Sequence, residues 1–289
     1  MVAAEQLGKQ DGPRLALLDW EMPELDGPAV CREVRKKKDQ GYVYMILLTS
    51  KGLKPDIVTG LGSGADDYLT KPFDSGELKA RLRTGQRILH LEGRLVEARE
   101  NMRFKATHDS LSSLFNRGVI VEVLGREISR SRRERIPTAI LLCDIDHFKT
   151  IKDSHGHLVG DEVLQEAVRR LLLSVRSYDY VGRYGGGEFL IILNNCDPAS
   201  APRRAEEIRR ALSDHPVETS IGPLLVTMSM DVHQTENWAV RTGEELLHEV
   251  DSAMYAAKAA GRNRISFTNL DIPSDARYVV RTEAEESLR

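Results

Sequence analysis

Short apolar runs that stop abruptly on polar residues punctuate the first seventy positions. Leu15 to Leu18 ends at Asp19, Val43 to Leu48 ends at Thr49-Ser50, and Asp67-Tyr68-Leu69-Thr70 leads into Lys71-Pro72-Phe73. Such runs alternating with helical stretches predict a parallel sheet whose functional groups lie at the carboxyl ends of its strands; Val2 to Leu7 finishes a helix ahead of them. The period then changes. Ile88, Leu91, Leu95, Ala98 and Met102 follow at spacings of three and four, one narrow apolar stripe on a helix, while Glu92, Arg94, Glu97, Arg99 and Glu100 occupy its other faces. Two heptads leave open a dimeric coiled coil and a single helix packed on its own domain. Beyond lie a helix over Val119 to Arg135, a buried strand at Ile140 to Cys143, and two strands around Gly185-Gly186-Gly187. A strand over Leu224 to Met230 and a helix over Gly243 to Ala260, closed by Gly261-Arg262-Asn263, complete the pattern. From residue 268 the chain is polar without a sustained apolar face, and a loose tail is expected.

Composition narrows the classes. A chain of 289 residues suffices for two domains, each with its own core. With 41 basic and 44 acidic residues, the net charge of −3 gives no electrostatic case for nucleic acid or an anionic membrane as partner. No apolar run approaches the roughly 20 residues needed to span a bilayer, and the first residues lack a signal-peptide pattern, so a cytoplasmic protein is expected. Cys31, Cys143 and Cys196 are scattered and odd in number, which argues against a disulfide framework or a zinc site and for small buried or half-buried thiols.

The first three runs, with Trp20-Glu21-Met22-Pro23-Glu24-Leu25-Asp26-Gly27 after the first, resemble the receiver domain of response regulators, a doubly wound, flavodoxin-like α/β fold. The resemblance makes Asp19 the phosphoacceptor, Lys71 the cation that contacts the phosphoryl group, and Thr49 with Tyr68 the switch pair; it implies an upstream histidine kinase as partner. A complete receiver has, ahead of Val2, a first strand ending in two acidic residues, a helix and a second strand. The chain lacks them. The strand ending at Asp19 would then be an open apolar edge, and Mg²⁺ there would lose its carboxylates. Either the start is placed too far downstream or the receiver is a damaged docking module; the aggregation hazard of an open edge favours the first.

Asp109-Ser110-Leu111-Ser112-Ser113-Leu114-Phe115-Asn116-Arg117, Asp144-Ile145-Asp146-His147-Phe148-Lys149 and Arg183-Tyr184-Gly185-Gly186-Gly187-Glu188-Phe189 together resemble the GGDEF family, whose active members are diguanylate cyclases. That family implies an α+β fold, an antiparallel sheet with flanking helices like the palm of adenylyl cyclases and polymerases. The expected divisions are a partial receiver over 1–85, a coiled-coil-like linker over 86–105, a GGDEF domain over 106–267 and a flexible tail over 268–289. The reaction implied is attack of one GTP's ribose 3′-hydroxyl on the α-phosphorus of another, with two subunits facing each other. Resemblance assigns Mg²⁺ to Asp144, the Ile145 carbonyl and an acidic third motif residue. It assigns the phosphates to Lys258, Arg262, the amides of His147, Phe148 and Lys149, and the turn at Gly185 and Gly186, and the guanine to Asp161 and an Asn.

Two positions depart from this pattern. Gly187 stands where the third motif residue is acidic, and alternation along an extended strand turns Glu188 to the face opposite position 187. Lys152 stands where the family's Asn meets guanine, so an ammonium with donors only would face the N1 and N2 donors of the base. Asp231, where the family has a small residue, has no account from sequence. Arg176-Ser177-Tyr178-Asp179 matches the family's inhibitory site for cyclic di-GMP: Arg can fork onto guanine or phosphate, and Asp can accept from N1 and N2. His155 and His157 are read as turn packing. Three readings remain: an impaired output domain that binds cyclic di-GMP through Arg176 and Asp179, which the departures favour; an active cyclase in which Asp144 with waters or Glu188 completes the Mg²⁺ shell; and a dimeric scaffold that binds no nucleotide.

Overall fold

A computed structural model describes residues 2–7, 9, 11–37, 41–50, 54–234, 258, 261–268 and 278–281. The chain divides into two units, Met1–Met102 and Arg103–Arg289. The first contains α1 (Val2–Leu7), β1 (Leu15–Asp19), α2 (Gly27–Lys36), β2 (Tyr44–Thr49), α3 (Lys54–Gly62), β3 (Asp67–Thr70) and most of α4 (Ser75–Thr107). The three strands are parallel in the order β1-β2-β3, as the sequence predicts. Its middle strand is the core: Met45, Ile46 and Leu47 are fully buried because that strand has a neighbour on each side and packing on both faces. Asp26 starts α2 by accepting from the Ala29 amide at 2.7 Å, and Val30, Cys31 and Val34 form its buried stripe. Asp66 ties the strands to α2 through Arg35, the Met45 amide and the Tyr42 hydroxyl. β1 pairs only with β2 among the described residues, and Leu17 on it is 41% exposed.

The residues expected to form a separate linker continue α4 without a break. Gly85 of that helix lies buried against the Tyr44 ring, and Ile88 packs beside it, whereas Leu91, Leu95 and Met102 are exposed.

The second unit contains α5 (Arg117–Glu134), β4 (Thr138–Ile145), α6 (Phe148–Ser174), β5 (Tyr180–Gly185), β6 (Glu188–Asn194), α7 (Ala201–Ser213), β7 (Val217–Thr219), β8 (Gly222–Leu224), β9 (Met228–Gln234), β10 (Ile265–Thr268) and β11 (Tyr278–Arg281). Among the described residues, six strands form one sheet in the order β11-β10-β9-β4-β6-β5. Its centre, β9-β4-β6-β5, is antiparallel as expected, while β9, β10 and β11 run parallel, so the sheet is mixed. Period-two alternation on the central strands feeds two cores. Ile140, Leu142, Leu190 and Ile192 meet Ile120, Val123 and Leu124 of α5 on one face. On the other, Leu141, Cys143, Phe189 and Ile191 meet Val163, Leu164, Ala167 and Leu171 of α6 and Ala205, Ile208 and Leu212 of α7.

Two expectations change. The single strand over Leu224 to Met230 is two: β8 ends at Leu224, Leu225 is 80% exposed, and β9 begins at Met228. Four residues of the expected loose tail form β11, which extends the sheet beyond β10. The expected helix over Gly243 to Ala260 lies outside the described residues except Lys258. Cys31, Cys143 and Cys196 are all buried and unbridged, and burial raises the thiol pKa of Cys31 and of Cys196 to about 11.

Arg170 fastens α6 to the segment after α7. Its guanidinium donates to the carbonyls of Leu212 at 3.0 Å, His215 at 2.6 Å and Pro216 at 2.7 Å, and pairs with Glu166. Replacing Arg170 by Ala leaves three carbonyls without this donor, and a loss of about 2–4 kcal/mol is expected from charged hydrogen bonds of this kind. Arg170→Lys recovers only part, since an ammonium cannot fork across three acceptors. Urea-unfolding midpoints of both variants check this; an Arg170→Ala midpoint equal to that of the unaltered protein refutes it.

Candidate functional site

The site is built where β4, β6 and β9 end beside the start of α6. Antiparallel register makes Asp144 the cross-strand partner of Glu188 on one side and of Ser229 on the other. Directly paired residues share a face, so Glu188 and Asp144 lie on the same side of the sheet, while Gly187 lies in the turn ahead of β6, where strand alternation does not apply. What the sequence reading lacked was the register, which makes Glu188 the cross-strand neighbour of Asp144.

Asp144 is mostly buried, and desolvation pushes its pKa up. The Lys258 ammonium, 2.6 Å from Oδ2, works against that shift, and Arg262 does so more weakly. Lys258, expected on a phosphate, therefore lies on the carboxylate. Arg262 is exposed and follows Gly261 in a left-handed stretch at φ +56°. Asp146, missed by the sequence reading as anything but part of an acidic cluster, fixes that stretch. Its buried carboxylate accepts from Thr227 Oγ1 at 2.6 Å, Ser229 Oγ at 2.7 Å and the Asn263 amide at 3.0 Å. A carboxylate just past the end of an apolar strand was the available signal.

α6 starts at Phe148 after His147, which adopts φ +57°. Its first-turn amides, those of Phe148 and Lys149 included, have no intrahelical acceptor and suit an anion; Lys149 itself is exposed. Gly156, at φ +87°, breaks α6 into two segments, and His155 and His157 beside it are exposed rather than packed. Asp161 is half-buried on the second segment.

The glycine turn is held from outside. Arg183 donates through Nε and Nη2 to the Gly186 carbonyl at 3.2 and 2.9 Å and through Nη1 to Asp109 at 2.8 Å. Asp109 also accepts from the amide and hydroxyl of Ser112, and Ser113 adopts φ +57°, which explains why glycine suits that place. Arg117 stacks on Tyr184 of the same hairpin. Gly187 is buried, and its carbonyl accepts from the Ile145 amide at 3.0 Å. A Cβ added there would lie 2.8 Å from Phe148 Cδ1 and 3.0 Å from Cγ. Lys152 holds its ammonium 4.6 Å from the centre of the same ring.

For a divalent cation the site offers Asp144, Glu188 and the Ile145 carbonyl. Among the described residues no three His, Cys, Asp or Glu side chains gather as a metal site. Mg²⁺ is commonly held by one or two carboxylates plus substrate phosphates and waters, so the opposed pair fits a cation that arrives with a phosphate.

Arg176 and Asp179 do not pair by side chain. The Arg176 guanidinium is exposed and bonds the Tyr178 hydroxyl at 2.7 Å. The Asp179 side chain is 2% exposed, because it accepts from the Arg176 amide at 2.9 Å and the Asn194 amide at 3.1 Å, with Arg204 at 3.8 Å. Beside Arg176 is a cleft of about 510 Å³ reaching His108, Phe115 and Tyr180. In the first unit, Lys71 Nζ lies 2.5 Å from Asp19 Oδ2, and its hydrogen bond lowers the Asp19 pKa. Thr49 is buried at the end of β2, and Tyr68 is half-buried under the Arg81 guanidinium.

The family model "Diguanylate cyclase, GGDEF domain" matches residues 106–264, more than half of the chain. The chain belongs to the GGDEF family. A second model, "Response regulator receiver domain", matches residues 1–83, so this GGDEF protein is a response regulator with a GGDEF output domain. Response regulator PleD of Caulobacter vibrioides is 33% identical over 253 residues, 87% of this chain and 56% of that protein. Diguanylate cyclase DosC of Escherichia coli is 34% identical over 182 residues, 63% of this chain and 39% of that protein. The chain spans about half or less of the length of these relatives. Among solved structures, the GGDEF domain of DgcB from Caulobacter crescentus in complex with c-di-GMP matches with TM-score 0.53 and 28% identity, covering 56% of this chain and 95% of that one. The GGDEF domain of PA1120 from Pseudomonas aeruginosa matches with TM-score 0.52 and 33% identity, covering 55% and 93%. No helix among the described residues is long and apolar enough to cross a membrane.

Burial alone would raise the pKa of Asp109, but bonds from Arg183 and Ser112 hold it below the ordinary 3.8. Its ionised form therefore supports the fold above that pH, and the support is lost as pH falls through the lower folded value. Asp109→Asn should cost about 1–3 kcal/mol near neutrality and flatten the loss of stability at acid pH. Urea titrations between about pH 3 and 7 read both effects; parallel curves for the two proteins would contradict the assignment.

Proposed function

We propose that this chain is a receiver-linked output module of cyclic di-GMP signalling that binds cyclic di-GMP and has lost most cyclase turnover. The observation that carries this reading is the Phe148 ring lying against the Gly187 α-carbon, where an acidic side chain would have to start. With no carboxylate at 187 and Asp144 engaged by Lys258, Mg²⁺ would be held more weakly than in an active member of the family. Lys152 also opposes guanine donors with donors, which lowers affinity for GTP.

For cyclic di-GMP, the complex of the DgcB domain lends support by similarity, and Arg176 supplies an exposed guanidinium beside a cleft. Arg176 does the recognising; Asp179, buried, shapes the loop that presents it. The receiver fits phosphorylation of Asp19 by a histidine kinase, and the exposed Leu91, Leu95 and Met102 fit a homodimer through α4. A second reading, slow but genuine synthesis of cyclic di-GMP from two GTP, is favoured by the opposition of Asp144 and Glu188 on one face.

The full chain incubated with GTP and Mg²⁺ or Mn²⁺ should form little or no cyclic di-GMP, and robust conversion would overturn the proposal in favour of the second reading. In calorimetry cyclic di-GMP should bind, with affinity reduced roughly 10- to 150-fold in Arg176→Ala, the equivalent of one or two charged hydrogen bonds. Unchanged affinity in that variant removes Arg176 from the site.

A further inference from the structure

The two departures at the nucleotide site, Gly187 and Lys152, are 35 positions apart in sequence yet meet on one side chain. Phe148 is 6% exposed, and its Cβ, Cγ and Cδ1 all lie within 3.1 Å of where a Cβ on Gly187 would be. Real side-chain carbons do not approach so closely, so any residue larger than Gly at 187 requires the ring to move. Lys152, one helical turn after Phe148, places its ammonium 4.6 Å from the ring centre, within the range of a cation–π contact. Its stem is braced as well. A Cβ on Gly160 would lie 2.3 Å from Lys152 Cγ and 3.0 Å from Cδ, so the stem runs directly over that glycine across the break at Gly156.

We propose that Phe148 is the positioning residue through which Gly187 and Lys152 act as one coupled change: the absent side chain at 187 lets the ring settle on the strand, and the Lys152 ammonium pins it there. A carboxylate restored at 187 alone then cannot seat beside Asp144 and Ile145 while the ring is held. The inference rests on the reading of impaired turnover for its functional consequence. Its structural content stands separately.

A thermal-unfolding cycle on the full chain reads the ring itself. Gly187→Ala should lower the midpoint by roughly 3–10 °C through overpacking, and most of that loss should disappear when Phe148→Leu is also present. Equal losses in the two backgrounds overturn the proposal. If Gly187→Ala alone is insoluble, recovery of soluble protein by Phe148→Leu supports the coupling, and failure to recover it counts against it.

The functional arm uses Lys152→Met, which keeps the stem and removes the ammonium without adding a contact to guanine. Cyclic di-GMP formation from GTP and Mg²⁺ should be at least about tenfold faster in Gly187→Glu/Lys152→Met than in Gly187→Glu, an effect of about 1.4 kcal/mol. Lys152→Met alone should gain nothing. Equal rates in the double variant and in Gly187→Glu refute the pinning role of Lys152. Fast turnover by the unaltered chain would sink the reading of impaired turnover and leave the unfolding cycle to decide the coupling.

Discussion

The cross-strand register of β4 is the constraint on which the second unit depends. Pairing Asp144 with both Glu188 and Ser229 fixes which side chains share a face at the strand ends, and the same register sends Leu141 and Cys143 to one core and Ile140 and Leu142 to the other. A slip of one residue would invert both cores together. Polar geometry at the sheet edge is thus secured by apolar burial several residues away. The link from β9 to the Arg262 stretch runs through Asp146, whose three hydrogen-bond donors come from two separate segments.

Much of this architecture was legible in the pattern of residues. Apolar runs ending at Asp19, Thr49 and Thr70 became the three parallel strands, and the glycine turn became the β5–β6 hairpin. What was not legible has physical causes. Leu224 to Met230 read as one strand because its residues are apolar, but Leu225 turns outward between two short pairings, and pairing partners are not written in local composition. Residues 278–281 looked loose because four residues at a sheet edge carry no sustained periodicity.

The candidate site was legible in its residues and less so in their relations. Asp144, Lys258 and Arg262 do come together, yet Lys258 lies on the carboxylate rather than standing open. Arg176 and Asp179 look interchangeable as polar loop residues, and the structure separates them: one guanidinium faces solvent, and one carboxylate is consumed by two backbone amides. Arg183 and Asp109, which clamp the turn, were unmarked because an ion pair between residues so far apart in the chain appears only when the segment after α4 is laid beside β5.

The break at Gly156 has a broader meaning. It splits α6 into a short leading piece that carries Phe148, Lys149 and Lys152 and a longer piece whose Val163, Leu164, Ala167 and Leu171 anchor the sheet. The two pieces stay in contact across the joint, since Phe148 packs in the same core as Val163, Leu164, Ala167 and Leu171 and the Lys152 stem lies over Gly160. A side chain exchanged in the leading turns therefore presses on the anchored helix as well as on the strand ends, so the joint redirects the chain without isolating its two sides.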